Sequence, residues 1–228
     1  AAITPIQFCE KYCQYVDEGY TDVIHVPINR SGSSTYNNAV MAQGMLREER
    51  PEHHLNIHLL DPHTYSMVFG WYLCEMARKL QNGAELRHVI SEFETQMNKM
   101  EVILGPYSLK QMKKSGRISA AAAVMGELMG IRPIITLIDG KTRVESKVRG
   151  DDKVIPAMID LCKKRTEGVE DFDYMIGHTS IPQAAELEKA CRKAFGKAPL
   201  VTFNLGGVVS ANTGPDTLAL VYVGKPRD

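Results

Sequence analysis

Asp22-Val-Ile-His-Val-Pro27 runs into the polar loop Asn29-Arg-Ser-Gly-Ser-Ser-Thr35, and a helical pattern follows from about Tyr36 to Arg47. The first six residues are a short apolar run stopped by proline, the mark of a buried strand. The unit then repeats. Leu55-Asn-Ile-His-Leu-Leu60 is a second strand, Asp61-Pro62-His63-Thr64 a second loop, and a helix extends to about Leu80. Strands alternating with helices in this way are the sequence form of a parallel α/β sheet. Upstream, Thr4-Pro5 offers a capping hydroxyl followed by proline at the first helical position, so a helix is expected to about Tyr15 with Phe8, Tyr12 and Tyr15 on one stripe. A further helix, roughly Ala84 to Lys99, follows Gly83.

From Val102 the pattern changes. Val102-Ile-Leu104 reads as a strand, Ser108 to Lys114 as a helix stopped by Gly116, and Ala120 to Met129 as a helix stopped by Gly130. Ile131 to Ile138 and Thr142 to Val148 are β-rich runs joined by Asp139-Gly140, a strong hairpin signal. A helix Lys153 to Lys164, a strand Tyr174 to Gly177, a helix Pro182 to Phe195 and strands Leu200 to Asn204 and Thr217 to Val223 complete the chain. A hairpin combined with crossover helices gives a mixed sheet. The expected fold is therefore α/β in two lobes: an N-terminal parallel α/β sheet over residues 1–100 and a C-terminal mixed α/β sandwich over 101–228.

Composition narrows the function classes. Lys+Arg and Asp+Glu both number 27, so the formal net charge is zero, and nothing supports binding to a nucleic-acid backbone. The basic runs Lys113-Lys114 and Lys163-Lys164-Arg165 read as solvated helix faces. Five cysteines without regular spacing argue against a disulfide framework and for a reducing compartment. Cys9 and Cys13 fall four apart on one helix face, where a metal pair could form. With no His or further Cys near them in sequence, buried small hydrophobes are the better reading. No apolar run approaches the ~18–20 residues of a membrane span. Ala1-Ala2-Ile3-Thr4-Pro5 is no secretory leader, so a cytoplasmic location is expected. The seven histidines form no spaced metal set, and no cofactor is expected.

Three segments could carry chemistry. In the loop Asn29–Thr35, the hydroxyls of Ser31, Ser33, Ser34 and Thr35 cluster between a strand's C-terminal end and a helix's N-terminus, where open α/β sheets bind ligands. Helix N-termini favour anions, and Gly32 permits close backbone approach. Ordinary N-capping needs one hydroxyl, not four. The loop matches neither a Walker phosphate loop nor a nucleophile elbow. The second segment, Lys113 to Gly126, is rich in alanine: it is either a tightly packed helix face or a small-residue wall beside an acyl chain, and Arg117 within it is either a surface charge or an anion partner. The third, Leu205-Gly-Gly-Val-Val-Ser-Ala-Asn-Thr-Gly-Pro215, lies between two strands; it reads as a long turn, a plain β connection or a polar tip closing over a ligand.

Several blocks in register carry a resemblance. Ser108-Leu-Lys-Gln-Met-Lys-Lys-Ser-Gly-Arg-Ile-Ser119, Ile131-Arg-Pro-Ile-Ile-Thr-Leu-Ile-Asp-Gly140 and Lys147-Val-Arg-Gly150 resemble the central signature of the DegV family. Ser33-Ser-Thr-Tyr-Asn-Asn-Ala39 resembles its Ser-Gly-Thr-Tyr motif, Asp61 to Gly70 its next strand–helix junction, and Gly206 to Pro215 its His-Thr-Gly-Pro element. The resemblance implies two α/β lobes and a buried long-chain fatty acid whose carboxylate is held by hydroxyls. Some members present that acid to a fatty-acid kinase. Carried over by position, Ser33 is the carboxylate-binding serine, with Ser34 and Thr35 adjacent. Asn212, Thr213 and Gly214 lie at the other side of the head group. Arg117 matches an arginine near the head group and Arg149 one at the docking surface.

The sequence departs from the family in three places. Ser34 replaces the motif glycine, and Asn212 replaces the family histidine, keeping hydrogen-bonding capacity but losing the ability to titrate. The chain also starts late relative to the family, without its opening Thr-Asp-Ser strand and the threonine of its next motif. The implied function is a non-catalytic lipid carrier; the rival is an acyl hydrolase or transferase with Ser33 as nucleophile.

Overall fold

The computed structural model describes residues 2–116 and 130–226. The chain divides into two compact units, Ala1–Tyr65 and Ser66–Asp228. Sequence reading sets the division near residue 100, so the helices between Met67 and Met97 group with the second unit rather than the first.

In the first unit, α1 (Pro5–Asp17) starts with a capping box: Gln7 N–H donates to Thr4 Oγ1, and Thr4 N–H donates to the Gln7 side chain at 3.0 Å. Strand β1 (Asp22–His25), α2 (Thr35–Glu49) and β2 (Asn56–Leu59) follow. The two strands pair in parallel, Asp22 opposite Asn56 through His25 opposite Leu59. The core joins Phe8, Cys9, Tyr12 and Cys13 of α1 to Ala39, Ala42 and Leu46 of α2 and to Leu55. Alanines at the contact bring the two helices close. Burial of Phe8, Tyr12 and Leu46 contributes about 1.5–3 kcal/mol each.

The second unit opens with α3 (Met67–Gln81) and α4 (Leu86–Met97) and then builds a six-stranded mixed sheet. Its strands are β3 (Met100–Pro106), β4 (Ile131–Ile138), β5 (Lys141–Arg149), β6 (Tyr174–His178), β7 (Thr202–Asn204) and β8 (Thr217–Val223), in the order β5-β4-β3-β8-β6-β7. All neighbours are antiparallel except β6 and β7. Asp139 (φ 49°) and Gly140 (φ 70°) make the expected β4–β5 hairpin, whose tight turn requires positive φ at both central residues. Helices α5 (Lys110–Ser115), α6 (Val154–Arg165) and α7 (Gln183–Phe195) join the strands. Ile103, Ile134, Ile176, Leu218 and Leu220 of the sheet pack with Val154 and Met158 of α6 and Leu187 of α7. The expected helix Ala120–Met129 lies outside the described residues.

One element corrects the sequence reading. Gly206–Thr213, expected as a turn between strands, is a helix, α8. Paired glycines and valines disfavour it locally. Its polar side chains support it instead: Ser210 Oγ donates to the Gly206 carbonyl at 2.8 Å, Asn212 Nδ2 to Val208 O at 2.8 Å and Thr213 Oγ1 to Val209 O at 3.2 Å. Its last carbonyls are taken by α5, where Gln111 Nε2 donates to Ala211 O at 2.5 Å and Ser115 Oγ to Asn212 O at 3.0 Å.

Candidate functional site

Because β1 and β2 are parallel neighbours, the loops leaving their C-terminal ends lie side by side. Two backbone donors stitch them, and a third ties the second loop to itself. Asn29 N–H bonds the Thr64 carbonyl at 3.0 Å, while the Asp61 carboxylate accepts from Arg30 N–H at 3.3 Å and His63 N–H at 2.9 Å. The second loop is held in tension: His63 sits at φ 56° and Ser66 at φ 62°, ψ −152°. Non-glycine residues in such regions cost of order 1–3 kcal/mol and persist only where their surroundings enforce them. Gly32 is fixed by packing. A Cβ on it would fall 1.7 Å from the Tyr65 hydroxyl oxygen, so only glycine lets that ring close against the loop.

Asn29 is the centre of this arrangement. It is 1% exposed, and its Oδ1 accepts from Ser31 N–H at 2.7 Å and Ser31 Oγ at 2.9 Å. Two donors on one side of the amide fix the oxygen there and turn Nδ2 the other way. Nδ2 has no hydrogen-bond partner, and neither does the Oγ1 of Thr64, which is also buried. An unpaired buried donor costs about 1–3 kcal/mol. Asn29 and Thr64, joined by one backbone hydrogen bond, each keep a side-chain donor without an acceptor.

The predicted hydroxyls follow Asn29 in the same loop. Ser33 Oγ and Thr35 Oγ1 are 2.7 Å apart, and Thr35 N–H donates to Ser33 Oγ at 3.2 Å. Two hydroxyls sharing one hydrogen bond leave one hydrogen to donate outward. Ser34, exposed, occupies the N-cap of α2 in αR conformation and makes no side-chain capping bond. The hydroxyl cluster thus does not serve as an ordinary cap, and the helix start keeps its preference for negative charge. The nearby Arg30 guanidinium lies 5.3 Å over the Tyr36 ring. Below the loops, Tyr12 Oη and His25 Nδ1 are 2.6 Å apart; burial holds the His25 imidazole below its ordinary pKa, hence neutral, and pushes the Tyr12 phenol up.

The other predicted residues lie in the second unit. Asn212, Thr213 and Gly214 form the C-terminal end of α8, where Thr213 is buried and its hydroxyl serves its own helix. Arg149 ends β5 and is exposed. Arg117 lies outside the described residues. Sequence reading placed Asn29 in the candidate loop without giving it a role and did not name Asp61, Thr64 or Tyr65 as candidate-site residues. The one signal available was their position, in two loops at corresponding ends of consecutive strands.

Comparison with known proteins finds relatives over nearly the whole chain. The sequence profile of the DegV family, described as uncharacterised proteins, matches residues 1–225. A DegV domain-containing protein of Clostridium perfringens is 28% identical, over 98% of this chain and 77% of its own length. Among solved structures, a fatty-acid-binding DegV family protein of Streptococcus agalactiae superposes with TM-score 0.83 at 25% identity, over 99% of this chain and 78% of that one. A stearic-acid-binding protein of Eubacterium ventriosum superposes with TM-score 0.86 at 20% identity, again over 99% and 78%.

Proposed function

Since this chain belongs to the DegV family, we propose that it binds a long-chain fatty acid, gripping the carboxylate with uncharged donors and burying the tail among apolar side chains. The observations that carry this reading are the two unpartnered buried donors, Asn29 Nδ2 and Thr64 Oγ1, and the Ser33–Thr35 hydroxyl pair in the same loop as Asn29. A carboxylate is an acceptor with about four lone-pair sites and supplies what these groups lack. Each ~0.8 kcal/mol methylene adds up to on the order of 10 kcal/mol for a long tail, provided the acid end is hydrogen-bonded out of water. On α2, one to two turns from the hydroxyls, Val40 and Met41 remain 46% and 60% exposed, an apolar surface suited to a hydrocarbon. The S. agalactiae relative, described as fatty acid binding, supports the same reading.

A head-group role for Asn212, Thr213 and Gly214 rests on the family resemblance. Asn212 Nδ2 gives one hydrogen to Val208 O and carries a second. Presentation of the carboxylate to a fatty-acid kinase, with Arg149 on the docking surface, rests on the resemblance alone. The carrier reading is preferred over an acyl hydrolase because Ser33 Oγ is bonded to a hydroxyl and a backbone amide, whereas a serine nucleophile requires a general base.

Calorimetric titration of the delipidated chain with a long-chain fatty acid and with its methyl ester tests the proposal. The acid should bind at least about tenfold tighter than the ester, since hydrogen bonds to a charged group are worth about 1.5–3 kcal/mol. Equal affinities would remove the carboxylate grip. Turnover of acyl esters that disappears in Ser33→Ala would establish the hydrolase instead.

A further inference from the structure

Cys9 and Cys13 lie one turn apart on the same face of α1, and the fold brings them a partner that is remote in sequence. The carboxylate of Glu49, at the last turn of α2, approaches both: one ligand atom from each of the three residues lies within 4.8 Å of the others. Cys13 Sγ–H donates to Glu49 Oε2 at 3.5 Å. Among the described residues this is the only group of three metal-ligating side chains so assembled.

We propose that Cys9, Cys13 and Glu49 bind a thiophilic divalent cation, zinc, which clamps α1 to α2. Residues at i and i+4 of a helix are a standard way to present two ligands to one ion. Two thiolates and a carboxylate are a zinc donor set, and three protein ligands leave the fourth tetrahedral position to water. A tetrahedral zinc ion with ~2.3 Å bonds holds its sulfurs about 3.8 Å apart, so side-chain rotation of about an ångström closes the set. Glu49 is exposed, and Cys9 and Cys13 are buried.

Burial and the neighbouring groups raise both thiol pKa values, Cys9 to about 11, so the free site is a protonated dithiol. On binding, both S–H bonds break, two zinc–sulfur bonds form, the protons go to solvent, and zinc keeps its charge. The complex carries one net negative charge, and Arg50 is close enough to favour the Cys13 thiolate. This inference is independent of the fatty-acid site.

The test is titration of the purified chain, kept reduced with a phosphine, with zinc chloride against a chromophoric chelator and with cobalt chloride in an absorption spectrometer. A single zinc per chain is expected, with release of thiol protons and a near-ultraviolet thiolate-to-cobalt charge-transfer band. Cys13→Ser should lower affinity beyond the roughly 10–100-fold that loss of an outer-shell partner costs, and roughly halve the band at saturating cobalt. Glu49→Gln, which also removes a ligand, should lower zinc affinity beyond that same range while keeping the band; at an exposed position it also keeps the fold if Cys13→Ser does not. Cys74→Ser, at an exposed cysteine outside the cluster, should change nothing. Cobalt bound without a thiolate band, zinc affinity undiminished by Glu49→Gln, or binding lost in Cys74→Ser would each overturn the proposal.

Discussion

Thr64 buries a hydroxyl without a partner, and this makes it the sharpest single-residue test. Thr64→Val keeps the shape and removes the unsatisfied group. The unliganded chain should gain about 1 kcal/mol in denaturant unfolding, while fatty-acid affinity falls roughly tenfold. A structural threonine would lose stability on the same change. Ser33→Ala should weaken fatty-acid binding to a similar degree with the unfolding midpoint nearly unchanged, because Ser33 is half-buried and its bonds are local. Gly32→Ala should cost more than either, since its methyl group collides with Tyr65. The hydroxyl cluster was legible in the sequence because strand, loop and helix start follow one another without a break. Asn29 and Thr64 were not. Their importance comes from burial and from the absence of partners, which the pairing of two distant loops decides.

The elements show the same division between local and tertiary control. Helices with strong local signals, such as α1 with Thr4-Pro5 and its capping box, stand where the pattern put them. So does the hairpin, whose Asp139-Gly140 turn carries its own geometry. Helix α8 was illegible because its stability comes from side chains returning to carbonyls four residues back and from Gln111 and Ser115 of α5. The double variant Gln111→Ala, Ser115→Ala should therefore destabilise α8 selectively, by about 1 kcal/mol per lost bond. Hydrogen exchange at the amides of the 206–213 helix should accelerate while that of β3 stays slow. Uniform acceleration would mean that these contacts belong to global rather than local stability.

At the scale of the molecule, each unit has its own core and its own sensitive point. In the second, Glu101 is buried on β3 and takes Arg165 Nε at 2.5 Å, Arg165 Nη2 at 2.9 Å and the Tyr222 hydroxyl at 2.6 Å. Arg165→Met strands a buried carboxylate and should cost about 3 kcal/mol, the low end for a buried pair because Arg165 is 31% exposed. In the first, burial depresses the His25 pKa below its ordinary 6.5. The unfolded chain then takes up the proton first as pH falls, so stability present above about pH 6.5 is lost on acidification toward the folded-state pKa. His25→Gln should flatten that slope in unfolding measured across this range. The two-lobe α/β class was readable from alternation alone, whereas the division after Tyr65 follows from contacts between residues far apart in sequence, which alternation does not carry. The most direct measurement of the central claim is mass spectrometry of an organic-solvent extract of the purified chain. Long-chain acyl acids should be recovered in near-stoichiometric amount from the parent chain and be depleted from Ser33→Ala and Thr64→Val. An extract free of acyl chains, from a chain that also fails to take up added fatty acid, would contradict it.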